Sequence, residues 1–188
     1  VTLPAGVHHL SDNVTVPAGI TLTLEAGAEL RVPANYKIDV QGSLRLLGSA
    51  EQPVVLTSDK AVPNAGDWWG LDIQASATDV LIEHAVIEYA SYGVYFRAGS
   101  QGSVHDSTLR YNSYGVYARG DRDAANNPAP VVTACGLYAN SNYNYYTYNF
   151  GDTDTTVLDA TGNWWGSTDP GAIAASIYDN EDSATSSP

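Results

Sequence analysis

The side chains best suited to moving a proton are Glu83, Glu88, His105 and Arg110. A carboxylate, an imidazole and a guanidinium within reach of one another can take a proton, return it and stabilise the anion between. Glu83 and His105 stand 22 positions apart, and so do Glu88 and Arg110. That spacing brings the four onto one outer face only if the chain repeats. On a repeating sheet the same residues form an interstrand ladder of ion pairs and hydrogen bonds. The ladder is the expected role, and catalysis the alternative.

Three further sets carry chemistry. In Tyr92-Gly-Val-Tyr-Phe96, strand alternation places Val94 and Phe96 on one face and Tyr95 on the other. The same alternation, carried along the repeat, predicts an outward stack of Tyr95, Tyr117 and Tyr145, with Tyr89 over Tyr111 as a second stack. Exposed aromatic rows can dock sugar rings. Two Asp-x-Asp loops, Asp121-Arg-Asp123 and Asp152-Thr-Asp154, offer the hard oxygen ligands that calcium takes, without an EF-hand pattern. Calcium is therefore the one cofactor under consideration. Cys135 falls in a column of small residues and reads as a buried structural thiol, and His8 and His9 read as surface residues without ligand spacing. Asn13-Val-Thr15 is a glycosylation sequon.

The elements that position these groups are short. The 188 residues contain no sustained helical periodicity; β-rich runs such as Ile20 to Leu24, Ser43 to Leu47 and Val54 to Thr57 alternate with Gly, Asn, Pro and Asp. Setting Ile82–Tyr95 over Val104–Tyr117 matches at an offset of 22 and repeats Tyr-Gly-Val-Tyr. Val132–Tyr145 follows at 28 and Leu158 onward at 26. Conserved strand spacing with variable loops is the pattern of a solenoid. Its columns are Ile82, Val104, Val132 and Leu158; Ala85, Ser107, Cys135 and Thr161; Ile87, Leu109, Leu137 and Asn163; and Ala90, Asn112 and Asn140 at a bend suited to left-handed backbone. The last coil then places Asp159 below Thr133 and Trp164 below Tyr138. Asn163, in an apolar column, needs hydrogen-bond partners where the last coil meets its cap. The two Trp-Trp pairs anchor turns or seal coil ends.

The expected architecture is all-β, a right-handed parallel β-helix of roughly six or seven coils with a short C-terminal helical cap. Within one domain of residues 1–188, 1–13 form an N-terminal cap, 14–166 the coils, 167–180 the C-terminal cap and 181–188 a tail or linker. Ser167-Thr-Asp-Pro170 supplies the N-cap and first turn of a helix over Ala172 to Ile177.

Net charge is -13, from 21 acidic and 8 basic residues, which disfavours nucleic acid and anionic membrane as partners. No apolar run reaches the ~18 residues of a membrane span. A single cysteine excludes an internal disulfide framework. Thirteen tyrosines and four tryptophans suit an extracellular β protein. Beginning at Val1 without a leader, the chain reads as a mature fragment or excised domain of a larger protein.

Val16-Pro-Ala-Gly-Ile-Thr-Leu-Thr-Leu-Glu-Ala-Gly27 resembles the opening coil of secreted bacterial right-handed parallel β-helix proteins of the pectate-lyase-like superfamily. Val40-Gln-Gly-Ser-Leu44, Gly48 to Ser58 and Gly66-Asp-Trp-Trp-Gly-Leu71 are similar to the coils that follow, and Gly162-Asn-Trp-Trp-Gly166 with Thr168-Asp-Pro170 and Ile177-Tyr-Asp179 to the closing coil and cap. Lyases of that superfamily pair a calcium site of clustered aspartates with an arginine or lysine base, and its hydrolases present aspartates on adjacent coils. No such aspartate pair is apparent here. The resemblance therefore implies a secreted or cell-surface module. Its expected roles are adhesion, carbohydrate or protein binding, or a rigid scaffold beside neighbouring domains. The alternative is a lyase or epimerase acting on uronate-containing polysaccharide through Glu83, Glu88, His105 and Arg110.

Overall fold

The computed structural model describes residues 1–151 and 156–184. Its strands build three parallel sheets, and successive strands along the chain pass from one sheet to the next. Sheet 1 runs through Thr2–Leu3, Thr21–Glu25, Ser43–Leu47, Asp79–Glu83, Gln101–His105 and Ala129–Thr133. Sheet 2 runs through Gly6–His9, Ala28–Val32, Val54–Ser58, Ala85–Glu88, Thr108–Arg110 and Gly136–Tyr138. Sheet 3 runs through Val14–Val16, Lys37–Val40, Trp68–Ile73, Ala90–Phe96, Tyr114–Arg119, Tyr143–Tyr148 and Ile177–Tyr178. The parallel β-helix expected from the repeat is therefore the fold, with one short α-helix near its C-terminal end.

Alternation along each strand sends one set of side chains inward. On sheet 1, Leu24, Leu46, Ile82, Val104 and Val132 stack in register and are fully buried. Leu30, Leu56, Ile87, Leu109 and Leu137 do the same on sheet 2. Each such side chain contributes roughly 1.5–3 kcal/mol by leaving water. The columns run the length of the solenoid, so every coil is held by its neighbours.

Between sheets the chain turns on single residues with left-handed backbone: His84, Asp106 and Ala134 between sheets 1 and 2, and Tyr89, Tyr111 and Ala139 between sheets 2 and 3. The asparagines of the predicted bend column are not themselves left-handed; the residue before each one is. Their side chains instead bond between coils. Asn112, fully buried, accepts from Ala90 N–H at 2.8 Å and donates to Ile87 C=O at 3.0 Å. Asn140 repeats this one coil on, toward Asn112 N–H and Leu109 C=O. The glycine of Tyr-Gly-Val-Tyr has the same origin, since a Cβ on Gly115 would lie 2.6 Å from the Asn144 carbonyl oxygen.

Three boundaries differ from expectation. Residues 1–13 are no separate cap: with Val14–Val16 they form a first coil, pairing in parallel with the second through all three sheets. The closing coil lies 28 positions on, not 26, because Val131 pairs with Asp159 and Gly136 with Trp164. Asn163 thus stands under Cys135, whose N–H it accepts at 2.8 Å while donating to Val132 C=O; it does bond backbone at this end, from another column. The helix spans Pro170–Ala174 with Asp169 as N-cap, and Ile177–Tyr178 leaves it to pair with Tyr145 and Tyr146. Among the described residues no helix is long and apolar enough to cross a membrane.

Candidate functional site

The outer face of sheet 3 gathers most of the chemistry, in two unlike halves. One outward column reads Asp39, Asp72, Tyr95, Tyr117, Tyr146 and Tyr178, each in register with the next. The column beside it reads Lys37, Gly70, Tyr92, Tyr114 and Tyr143.

The first half is ionic. Asp39 and Asp72 are register partners on adjacent coils. The Asp72 side chain is 0% exposed. Its oxygens accept from Arg97 Nε at 2.6 Å, Arg97 Nη2 at 3.0 Å and Lys37 Nζ at 2.9 Å. Asp39 accepts from Gln41 and Gln74 and lies 3.8 Å from Lys37 Nζ. Trp69 flanks both cations, and Arg97 sits 4.7 Å from the Tyr95 ring centroid. The Asp72 hydrogen bonds hold the Arg97 pKa above its usual value, against burial. This aspartate pair is the motif that the sequence did not reveal. Thirty-three positions separate its members, because the loop from Asp59 to Gly66 lengthens that coil beyond the 22 and 28 of later ones.

The second half is aromatic. Tyr117 and Tyr146 stack at 4.8 Å between centroids, and Tyr146 and Tyr178 at 4.5 Å. Tyr92 stacks on Tyr114 at 5.4 Å, and Tyr114 meets Tyr117 edge to face at 5.2 Å. These geometries suit the ring quadrupole. Stacking along the solenoid covers part of the ring faces. Burial, then neighbouring tyrosines, pushes the Tyr117 hydroxyl above its usual range and that of Tyr146 up to about 12.

The predicted trio Tyr95, Tyr117 and Tyr145 is corrected at both ends. Tyr145 faces inward, 3% exposed, in the interior column of Ile38, Leu71, Val94 and Val116. Its outward place is taken by Tyr146. Between Asn140, which keeps the 28-residue offset, and Tyr143, which stands 29 from Tyr114, the turn carries one extra residue. A one-residue slip reverses the facing of a strand. Tyr95 does face outward but is only 6% exposed, beneath Arg97. Tyr89 and Tyr111 stack at 5.7 Å as expected, at the bend between sheets 2 and 3.

The quartet does not assemble. Glu83 and His105 pair on sheet 1, whereas Glu88 and Arg110 pair on sheet 2, across the left-handed corners at His84 and Asp106. Arg110 Nε meets Glu88 at 3.0 Å, Thr57 donates to the same carboxylate, and Arg110 Nη1 reaches Tyr138 at 3.5 Å. His105 Nδ1 lies 3.1 Å from Asp106. Under the corrected closing offset neither Asp159 nor Trp164 continues these columns. Cys135 is buried, and that burial pushes its thiol up to about 11, which disfavours the reactive thiolate. His8 bonds the Pro4 carbonyl, and His9 lies 3.0 Å from Asp59.

The Asp121 carboxylate accepts from Asp123 N–H and Asn126 Nδ2, while Asp123 caps the single 3₁₀ turn Ala124–Asn126. Asp152 and Asp154 lie outside the described residues. Among the described residues no cluster of three or more His, Cys, Asp or Glu is placed to hold a metal.

Where the tyrosine face meets the following loop, Gln74, Tyr95, Arg97, Arg119, Arg122 and Asn149 line an open depression of about 560 Å³. Sequence reading passed over both later arginines, because only the three-dimensional column shows Arg119 following Arg97 by way of Phe96 and Ala118.

A family model described as a pectate-lyase-like beta helix domain matches residues 1–126, more than half of the chain. No curated protein and no solved structure matches it.

Proposed function

The chain belongs to the pectate-lyase-like β-helix domain family, and on that scaffold we propose that the tyrosine-lined outer face of sheet 3 is the contact surface of a secreted or cell-surface polysaccharide-binding module. The observation that carries this reading is the double row of half-buried tyrosines over successive coils. From coil to coil its ring centroids lie 4.5 to 6.3 Å apart, giving an extended chain a repeating aromatic surface with a hydroxyl on every ring. Hydrogen bonds to hydroxyls on an apolar floor are how sugars are held. The rings also stabilise the sheet, and the two roles are compatible.

A catalytic reading is favoured by one observation, the Asp39–Asp72 pair on adjacent coils beside Lys37 and Arg97. Paired carboxylates can supply an acid and a base. Asp72, however, has no exposed side-chain surface, and both its oxygens are engaged by cations. That arrangement suits an ion-pair cluster better than a group that must meet substrate.

Affinity electrophoresis through gels holding neutral and acidic polysaccharides tests the proposal. Absorbance of unsaturated uronate would be followed alongside. Retardation without product is expected, with Tyr117→Ala and Tyr114→Ala running as in a blank gel although their circular dichroism shows them folded. Unchanged retardation of both variants, or none by the parent protein, would overturn the tyrosine surface. Product formation abolished by Asp72→Asn would establish the catalytic reading in its place.

A further inference from the structure

The eight cationic side chains of this acidic protein are not treated alike. Arg31, Lys37, Arg45, Lys60, Arg97 and Arg110 each lie within 4.0 Å of a carboxylate. Among the described residues Arg119 and Arg122 have no such partner, in a chain with 21 acidic residues. Both line the same depression, at the edge of the tyrosine face, and both are exposed. Asp121, which lines the same depression, accepts within its own loop from Asp123 N–H and Asn126 Nδ2.

The local backbone positions these two residues. Arg119 ends the strand Tyr114–Arg119, and the influence of Tyr95 raises its pKa above the usual value. Arg122 has left-handed backbone, φ 73°, a conformation that a long side chain seldom adopts. Its N–H donates to Asn149 C=O at 2.8 Å and its Nε to Asn149 Oδ1 at 3.4 Å.

We propose that Arg119 and Arg122 form an oxyanion subsite, which takes a sulfate-ester or carboxylate substituent of a glycan lying along the tyrosine face. The guanidinium fork matches either oxyanion with paired N–H donors. Placed at the end of the hydroxyl rows, the subsite selects for a charged sugar at one point of an otherwise neutral track. It also offsets the repulsion that a net charge of -13 exerts on any acidic polymer. The glycan part of this proposal rests on the function proposed above; the oxyanion part does not.

Two experiments separate them. The first follows the arginine Nε–Hε resonances of the whole protein by NMR during titration with sodium sulfate, with sodium chloride as the ionic-strength control. Arg119 and Arg122 should shift together and saturably, while Arg97, locked on Asp72, stays still. No sulfate-specific shift, or an equal shift of every arginine, would overturn the subsite whether or not any glycan binds. The second measures binding of chondroitin sulfate, polygalacturonate and a neutral galactan by the parent protein, Arg119→Gln and Arg122→Gln. Each variant should lose roughly tenfold for whichever acidic polymer binds and keep its affinity for the galactan; the stronger of the two acidic ligands identifies the substituent. Unaltered acidic binding in both variants would overturn the subsite even with the tyrosine surface intact. Saturable sulfate shifts with no glycan bound would keep the subsite and remove the glycan.

Discussion

The two halves of sheet 3 share one backbone geometry and reach opposite solutions for their outward side chains. Parallel in-register strands bring like residues about 4.8 Å apart. For tyrosine that proximity is attractive, and the column runs unbroken through Tyr95, Tyr117, Tyr146 and Tyr178. For aspartate it is repulsive, and the column stops after Asp39 and Asp72, with Lys37 and Arg97 set against them. An aromatic ladder can therefore lengthen coil by coil and present a track, whereas a stacked carboxylate needs its own counter-charges and closes on itself. This is why the track, rather than the ion cluster, is the half proposed to meet a ligand.

The sharpest way to separate the halves is alkaline pH, where the largest effect is expected. The hydroxyls of Tyr92, Tyr117, Tyr145 and Tyr146 all have pKa values raised above the ordinary 10.0, first by burial. The unfolded chain gives up these protons near pH 10, while the fold retains them to higher pH. Their contribution is complete below pH 10 and is lost as pH rises through the folded values, near 12 for Tyr146. Urea unfolding from pH 8 upward should show a steep fall beginning near pH 10. Tyr145→Phe should make the fall shallower without loss of stability at neutral pH, because among the described residues its buried hydroxyl has no hydrogen-bond partner. A stability flat to pH 12 would show that the rings are more open to water than the structure has them.

Within the ionic half, Asp72→Ala leaves Lys37 and Arg97 facing one another without their shared counter-charge. Breaking a fully buried pair from one side costs 3–5 kcal/mol; here both cations are about a third exposed, so the loss should be about 3 kcal/mol. Replacing the trio together, as Lys37→Leu, Asp72→Leu and Arg97→Met, should recover most of it. Recovery would mean that stability alone does not require the charges. A triple variant as weak as Asp72→Ala would show that the cluster holds the sheet.

The sequence made the fold legible because each coil carries the same inward residues, and repetition averages over local ambiguity. Where the reading failed, a single inserted or displaced residue was responsible. Tyr145 and Tyr146 are adjacent, so no propensity separates them; one extra residue in the preceding turn decides which enters the core. Asp39 and Asp72 are invisible as a pair until the Asp59–Gly66 loop is taken out of the count. The quartet failed for a different reason. Its spacing along the solenoid was right, but the corners at His84 and Asp106 turn Glu83 and Glu88 onto different sheets, and column arithmetic carries no information about angles around the axis.

Acid pH probes the ionic half at its support and should give the smallest effect. Asp67, just before the strand Trp68–Ile73, accepts from Lys60 Nζ at 2.6 Å, Ser58 Oγ at 2.7 Å and Asn64 N–H at 2.9 Å, closing the loop that sets the register of Asp72. Burial, the largest single influence, opposes ionisation, but the three donors together outweigh it and hold the carboxyl below its ordinary 3.8. A lowered folded value means stability that is complete above pH 3.8 and lost as pH falls through the folded value. The loss should be smaller than the alkaline one, because a single carboxyl carries it. Asp67→Asn should remove most of that acid limb from urea midpoints taken between pH 6 and pH 2, while leaving the alkaline limb in place. If the substitution instead flattened both limbs, the two halves of sheet 3 would be coupled through this loop and the contrast between them would be one of composition only.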